Sequence, residues 1–325
     1  MTVTDSFRAD YELLKRGAGL IDRSERGKLA LSGAEAKQFL HGQVTQEINA
    51  LEPGQGAYAA FLTSKGKMLG DLRVLDSGEE LLLDTERSSL QELFNMIRRY
   101  AVGYQIELHK RTLEYGLLTV IGPDADRAVT AAGAELPGSD EHSHRLATIA
   151  GASVRVIRSY LGLDLLVQTA QLEHLRELLI ASGIPAVDEA AVECLRIELG
   201  RPKYGIDLDD SVIPQEAGLN ERAVSFTKGC YVGQETVARL FYRGKPNREL
   251  RGLRGLSPAA QLIPGTKLRM QQSGDRELGT ITSATNSPEY GPIALALVRR
   301  EAPTGTIIEA GSDRVQVVEL PFHES

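Results

Sequence analysis

The sequence is poor in cysteine and lacks long apolar segments. Its 325 residues include only two cysteines, Cys194 and Cys230, which form no disulfide framework and suit a reducing compartment. No apolar run is long enough to span a membrane. The start of the chain has neither the basic n-region nor the apolar h-region of a secretory signal. We therefore expect a cytoplasmic protein with no membrane partner.

The sequence also lacks an excess of positive charge. It contains 37 Lys and Arg against 44 Asp and Glu, a formal net charge of -7. This balance argues against general affinity for nucleic-acid phosphates, so we expect no direct nucleic-acid binding, although a local basic surface remains compatible with it. With 42% hydrophobic and 25% charged residues, the chain is long enough for two or three domains with substantial cores.

Helical and strand-like patterns alternate irregularly up to Pro246. Apolar spacing predicts helices at 7–16, 34–42, 88–100, 124–132 and 172–182, and strands at 28–31, 57–62, 68–75, 81–83, 116–121, 154–157 and 164–167. Because strands outnumber the helices that punctuate them, we predict an α+β fold rather than a doubly wound sheet. After Pro246, short strands divided by Gly, Pro, Ser and Asn predict a small β-barrel. We therefore expect a core of two interleaved α+β lobes at 1–246 and a barrel at 247–325.

The eight residues from Lys228 to Glu235, Lys-Gly-Cys-Tyr-Val-Gly-Gln-Glu, place one of the two cysteines between two glycines. Glycines permit backbone conformations closed to other residues, and an ammonium near the sulfur of Cys230 would favour thiolate over thiol. These features indicate an exposed reactive loop; the alternative is a turn in which Cys230 is a small buried hydrophobe. A basic run follows, consisting of Arg239, Arg243, Lys245 and Arg248.

Two carboxylates stand out from their surroundings. A helix predicted between Asp188 and Gly200 carries Glu198 on its apolar face, beside Cys194, which we expect to lie in the core. A carboxylate there must be paired, for instance with Arg201 or Arg222, or must accept hydrogen bonds from a ligand.

The second carboxylate, Asp71, shares one face of a predicted strand with Arg73. The two could form a solvated pair, or Asp71 could be functional.

These positions fall within a recognisable family pattern. The segments 195–200 (Leu-Arg-Ile-Glu-Leu-Gly), 204–208 (Tyr-Gly-Ile-Asp-Leu), 213–219 (Ile-Pro-Gln-Glu-Ala-Gly-Leu) and the cysteine octapeptide resemble the YgfZ family of folate-binding proteins. This family is related to the glycine-cleavage aminomethyltransferases and includes mitochondrial iron–sulfur assembly factors. The resemblance extends to 19–29 and to the hairpin at 66–75, and it is weakest from about 110 to 185 and in the terminal module.

The resemblance implies a three-lobed, ring-like, aminomethyltransferase-like fold with a central tetrahydrofolate pocket and a C-terminal β-barrel. Glu198 matches the glutamate that holds the pterin ring, and Asp71 matches a catalytic carboxylate of the enzymes. Tyr204 and Arg239 lie in family motifs and complete the expected folate-binding set. The enzymes usually carry two adjacent aspartates where this chain has Gly70-Asp71, and Asn-Ala where it has Asp84-Thr85. They also generally lack the cysteine of the octapeptide, which argues against aminomethyl transfer.

The family role implied is folate-dependent support of iron–sulfur cluster synthesis or repair, and through it of cluster enzymes such as those that thiolate tRNA. One thiolate cannot hold a cluster that normally takes four protein ligands. Cys230, assisted by Lys228, would therefore act transiently as a nucleophile, a single persulfide or iron ligand, or a redox sensor. The alternatives are a folate-dependent aminomethyl or methyl transferase and a scaffold with a vestigial folate pocket.

Overall fold

The structure, a computed structural model, describes residues 3–270 and 276–323. Met1 and Thr2, the start of the segment expected to lack a secretory signal, lie outside them. The chain divides into two compact units, of which the first comprises 1–62, 69–191 and 222–232 and the second 63–68, 192–221 and 233–325. No helix among the described residues is long and apolar enough to cross a membrane.

The described residues form eight helices. They are α1 (Val3–Arg16), α2 (Ala36–Gln43), α3 (Leu90–Tyr100), α4 (Ala125–Ala131), α5 (Thr169–Ala181), α6 (Glu189–Glu198), α7 (Asn220–Ala223) and α8 (Gln234–Arg243). Each helix predicted from apolar spacing is present, within a few residues of its predicted bounds. The prediction missed α7 and α8. Helix α7 has only four residues, and α8 buries only Val237 fully, so neither has a clear apolar face in the sequence.

Ten strands form the two sheets of the first unit. They are β1 (Gly19–Asp22), β2 (Gly27–Ser32), β3 (Gly56–Leu62), β4 (Met68–Asp76), β5 (Leu81–Thr85), β6 (Glu107–Lys110), β7 (Tyr115–Ile121), β8 (His144–Ile149), β9 (Ala152–Ser159) and β10 (Gly162–Gln168). Sheet 1 has the order β1-β7-β10-β9-β8, and sheet 2 has the order β3-β4-β5-β2-β6. The three strands that the sequence did not predict, β1, β6 and β8, all lie at sheet edges, where apolar patterning is weak.

Strand β4 illustrates how the sequence directs the packing of sheet 2. Its alternation sends Leu72 and Val74 into a core shared with α2 and α3. The opposite face carries Leu75 into a small apolar cluster with Ile157 and Leu166 of sheet 1. Sheet 1 buries its own apolar face against α4 and α5. The first unit therefore has two helix-covered sheets whose remaining faces meet.

The second unit contains a closed barrel of six strands in the order β11-β14-β13-β12-β15-β16. These strands are β11 (Arg248–Gly255), β12 (Lys267–Arg269), β13 (Glu277–Ser287), β14 (Gly291–Arg299), β15 (Ile307–Ala310) and β16 (Asp313–Val318). Alternating apolar residues such as Leu253, Ile281 and Val315 fill its interior. The predicted α+β class and C-terminal barrel are confirmed, whereas the domain boundary after residue 246 stays a prediction.

Candidate functional site

Asp71 is a buried carboxylate in β4 of the first unit. Only 6% of its surface is exposed, and the hydroxyl of Tyr58 in the neighbouring strand β3 donates to Asp71 Oδ2 at 2.6 Å. Burial raises the pKa of Asp71 to about 6, against the opposing effect of the Tyr58 hydrogen bond. The carboxyl group can therefore gain or lose a proton near neutral pH, which is a requirement for acid–base chemistry.

The alternative that Asp71 and Arg73 form a solvated pair is wrong, because both side chains are buried. Arg73 instead binds Asp84 of the same sheet at 2.6 Å and Asp164 of sheet 1 at 2.5 Å. Arg26 binds Asp84 as well, at 2.8 Å. Burial by itself raises the pKa of Asp84, but Arg26 and Arg73 outweigh it and lower this pKa to about 2. Asp84 is thus a permanently charged link between two arginines.

Gly70 has no room for a side chain. A Cβ atom there would lie 2.5 Å from both Phe61 Cζ and Ser89 Cβ. The packing of sheet 2 against α3 therefore accounts for a glycine at the position where the enzymes usually carry the first of two aspartates.

Lys228 anchors the cysteine loop to the end of α2. Its ammonium is buried and donates to the carbonyl oxygens of His41, Val44 and Gln46 at 2.5, 2.7 and 2.9 Å. The carbonyls at the end of a helix lack intrahelical partners, so a cation there is well placed. Burial lowers the pKa of Lys228 to about 8. The predicted influence of this charge on the sulfur of Cys230 stays a prediction.

The two cysteines have opposite environments. Cys230 is exposed, and Cys194 is fully buried in α6. Burial, followed by the nearby Glu198 carboxylate, raises the pKa of Cys194 to about 12, so this residue remains a thiol. The expected exposure of Cys230 and burial of Cys194 are confirmed. The loop ends earlier than expected, since Gln234 and Glu235 already belong to α8.

Glu198 ends α6 in the second unit and is only 5% exposed. The hydroxyl of Ser287 donates to Glu198 Oε1 at 2.6 Å, and the thiol of Cys194 reaches the same oxygen at 3.5 Å. Ser287 is itself held, because the backbone N–H groups of Glu289 and Tyr290 donate to its hydroxyl oxygen at 3.0 Å. The carboxylate is therefore fixed in one orientation, as an acceptor for ligand N–H groups needs to be.

The remaining predicted residues also lie in the second unit. The hydroxyl of Tyr204 donates to the Met68 carbonyl at 3.4 Å. Arg239 is exposed on α8, and within residues 3–270 and 276–323 it makes no ion pair. Arg248, the last cation of the basic run, differs because it pairs with Glu216 at 3.2 Å. Arg239 is thus available to an anionic group.

The first unit thus holds Asp71, Lys228 and Cys230, and the second holds Glu198, Tyr204 and Arg239. Sequence reasoning missed Tyr58 and Ser287, which contact the two carboxylates. The contact of Tyr58 with Asp71 could have been predicted, since the two residues lie on the paired strands of a predicted hairpin. The contact of Ser287 with Glu198 could not, because 89 residues separate them in the sequence. No group of His, Cys, Asp and Glu among the described residues could hold a metal ion.

Comparison with known proteins places the chain in a family. Residues 1–228 match the model of the GCVT N-terminal domain. The chain belongs to the GCVT family. Among its relatives, the tRNA-modifying protein YgfZ of Yersinia pestis is 33% identical over 301 residues, which cover 90% of this chain and 88% of the relative. An aminomethyltransferase of Streptomyces coelicolor is 29% identical over 337 residues, covering 98% and 90%.

A solved aminomethyltransferase structure has the same fold. The glycine cleavage system aminomethyltransferase T from Bartonella henselae superposes with a TM-score of 0.86 at 24% identity, over 98% of this chain and 90% of that one. The predicted aminomethyltransferase-like fold and the resemblance to YgfZ relatives are therefore confirmed.

Proposed function

We propose that this protein binds a reduced folate and supports iron–sulfur cluster synthesis or repair, and through it cluster enzymes such as those that thiolate tRNA. The observation that carries the proposal is the buried, oriented carboxylate of Glu198. The relatives named tRNA-modifying protein YgfZ support the link to tRNA modification.

The folate chemistry follows from the donors and charges of the ligand. A pterin ring presents N–H donors, and a buried carboxylate is a strong acceptor for them because water does not compete. Arg239 receives the anionic glutamate tail, and Tyr204 contributes to the same cofactor set. Asp71 is the second carboxylate that we assign to folate, with Tyr58 controlling its orientation and its proton.

Cys230 acts on the partner iron–sulfur protein after folate is bound. An exposed thiol in a loop anchored by Lys228 can reach a partner protein, whereas the buried Cys194 cannot. A single cysteine supplies one ligand or one nucleophile, so its action on a cluster protein is transient.

Calorimetric titration with tetrahydrofolate tests the proposal. The wild-type protein should bind, and Glu198→Gln, which keeps the side-chain volume, should lose about 1–3 kcal/mol of binding free energy because a charged acceptor disappears. Glu319→Gln, at an exposed glutamate of the second unit, is the matched control and should bind normally. In cells that lack the protein, only folate-binding variants should restore the activity of cluster-dependent tRNA-thiolating enzymes. The absence of any binding heat would instead favour a scaffold with a vestigial pocket.

A folate-dependent aminomethyl or methyl transferase is the second candidate. Two observations favour it, namely the aminomethyltransferase relatives and the raised pKa of Asp71, about 6. The packing of Phe61 and Ser89 against Gly70 argues against the transferase, since a second aspartate does not fit at this position. Turnover of a methylamine-type donor in the presence of tetrahydrofolate, abolished in Asp71→Asn, would establish the transferase.

A further inference from the structure

A polar cleft in the first unit contains none of the residues assigned above. Its volume is about 540 Å³, and it opens where β8 and β9 meet the loop at 53–54 and the turn at 77–79. The side chains that give the cleft its charge are Glu79, Arg145 and Arg155, and His144 lines it beside them.

Arg155 in β9 differs from the arginines around it. Arg145 pairs with Glu135, and Arg158 pairs with Asp126. Arg155 makes no ion pair with any residue that the structure describes, although its side chain is partly buried and burial lowers its pKa. Its side chain makes one hydrogen bond within the described part of the chain, from Nη1 to Nδ1 of His144 at 2.9 Å. The charges of Glu80 and Glu79 act on Arg155 from beyond ion-pair distance, and Glu80 is itself paired with Arg111. A partly desolvated guanidinium that has no carboxylate in contact loses hydration that a bound anion would replace.

His144 fixes the orientation of this guanidinium. The imidazole is 3% exposed, and burial, followed by the charge of Arg155, lowers its pKa to about 4. At neutral pH the ring is therefore uncharged and accepts the Arg155 proton through Nδ1. A guanidinium has five N–H donors in a rigid fork, and this contact uses one of them. The others remain for a planar or tetrahedral anion in the cleft.

We propose that this cleft binds a small anion, a carboxylate or a phosphate, with Arg155 as the principal ligand-binding residue. Arg145, which also lines the cleft, adds a weaker attraction, because Glu135 compensates part of its charge. Glu79 lines the cleft too and is exposed, so its negative charge opposes the anion. The site is distinct from the folate residues and does not depend on the proposed function.

The proposal predicts opposite effects from two substitutions that each remove one charge. Arg155→Gln should weaken anion binding about tenfold or more, because a charge-assisted bidentate contact is lost. Glu79→Gln should strengthen it a few fold, because a repulsive charge is removed. Arg127→Gln, at an exposed arginine of α4 paired with Asp124, is the control and should leave binding unchanged.

Titration of the full chain with inorganic phosphate and, in a second arm, with acetate at constant ionic strength measures both effects by calorimetry and by the shift in melting temperature. The anion whose binding is weakened by Arg155→Gln is the one that the cleft recognises. If Arg155→Gln unfolds, Arg155→Lys keeps the charge without the fork and should bind with intermediate affinity. No saturable binding below about 10 mM of either anion, equal binding by wild type and Arg155→Gln, or loss of tetrahydrofolate affinity in Arg155→Gln would each overturn a separate anion site.

Discussion

At the scale of single residues, Asp71 shows how burial changes the chemistry of a group. Its pKa is raised from 3.8 to about 6 in the folded state, so between these values the folded protein binds more protons than the unfolded chain. Stability contributed by the protonated form is therefore present at low pH and is lost as the pH rises through about 4 to 6.

Asp71→Asn should remove this dependence, because an amide does not ionise. From pH 4 to pH 7 the wild type should lose about 1–3 kcal/mol of unfolding free energy relative to the variant. Urea unfolding of both proteins at several pH values measures the difference. A difference that does not change with pH would mean that Asp71 is ionised throughout this range.

Cys230 is the second residue with a specific expectation. Alkylation of the native protein near neutral pH should label Cys230 much faster than Cys194, because Cys194 is buried and its pKa is about 12. Peptide mass mapping after brief exposure to iodoacetamide distinguishes the two sites.

Cys230→Ala should leave folding and folate binding nearly intact, since an exposed thiol contributes little packing. It should nevertheless fail to restore cluster-enzyme activity in deficient cells, whereas Cys194→Ala, if it folds, should succeed. Full complementation by Cys230→Ala would show that the octapeptide acts without its thiol.

At the scale of elements, α8 presents Arg239 and Arg243 to solvent, and the exposed Lys245 follows the helix, in a protein of net charge -7. If this helix receives the folate tail, polyglutamylated folate should bind more tightly than the monoglutamate, and added salt should reduce the difference. Arg239→Gln should remove most of the difference, and Arg314→Gln, at an exposed arginine of β16, should not. Equal affinities of the two folates at low salt would exclude this role for α8.

The stability of the C-terminal end of α2 depends on the hydrogen bonds that Lys228 donates to it. Lys228→Met should cost about 2–4 kcal/mol of unfolding free energy, because one buried and two partly buried carbonyl groups lose their donor. The same variant should weaken complementation, since the cysteine loop is no longer anchored. Chemical denaturation measures the first effect. Unchanged stability would contradict the observed contacts.

At the scale of the whole molecule, buried charge joins the two sheets of the first unit. Arg73 connects Asp84 of sheet 2 to Asp164 of sheet 1, and Thr119 donates to Asp164 at 2.7 Å. Arg73→Met should destabilise the protein by about 3–5 kcal/mol, because it leaves the buried Asp164 without its cation and Asp84 with Arg26 alone. Breaking the exposed Arg127–Asp124 pair by Arg127→Met should lower stability far less, because water screens this pair. Similar melting temperatures for the two variants would refute this role of Arg73.

The sequence alone determined the features that depend on neighbouring residues. Period-two alternation predicted β4 and its two faces, helical spacing predicted α3, and closely spaced short strands predicted the barrel. The glycines around Cys230 correctly indicated exposure. Local patterns are weak where an element is only partly buried, as in β6, β8 and α8, or very short, as in β1 and α7, and these elements were missed.

Tertiary structure decided the partners of the functional groups. Ser287 lies 89 residues from Glu198, Asp164 lies 91 residues from Arg73, and the carbonyls that hold Lys228 lie more than 180 residues away from it. Nothing in the local sequence specifies such contacts, because they arise only when packing of apolar faces brings distant segments together. The sequence therefore determined which residues carry reactive groups, and folding decided which of them are buried, which are charged and what each one touches.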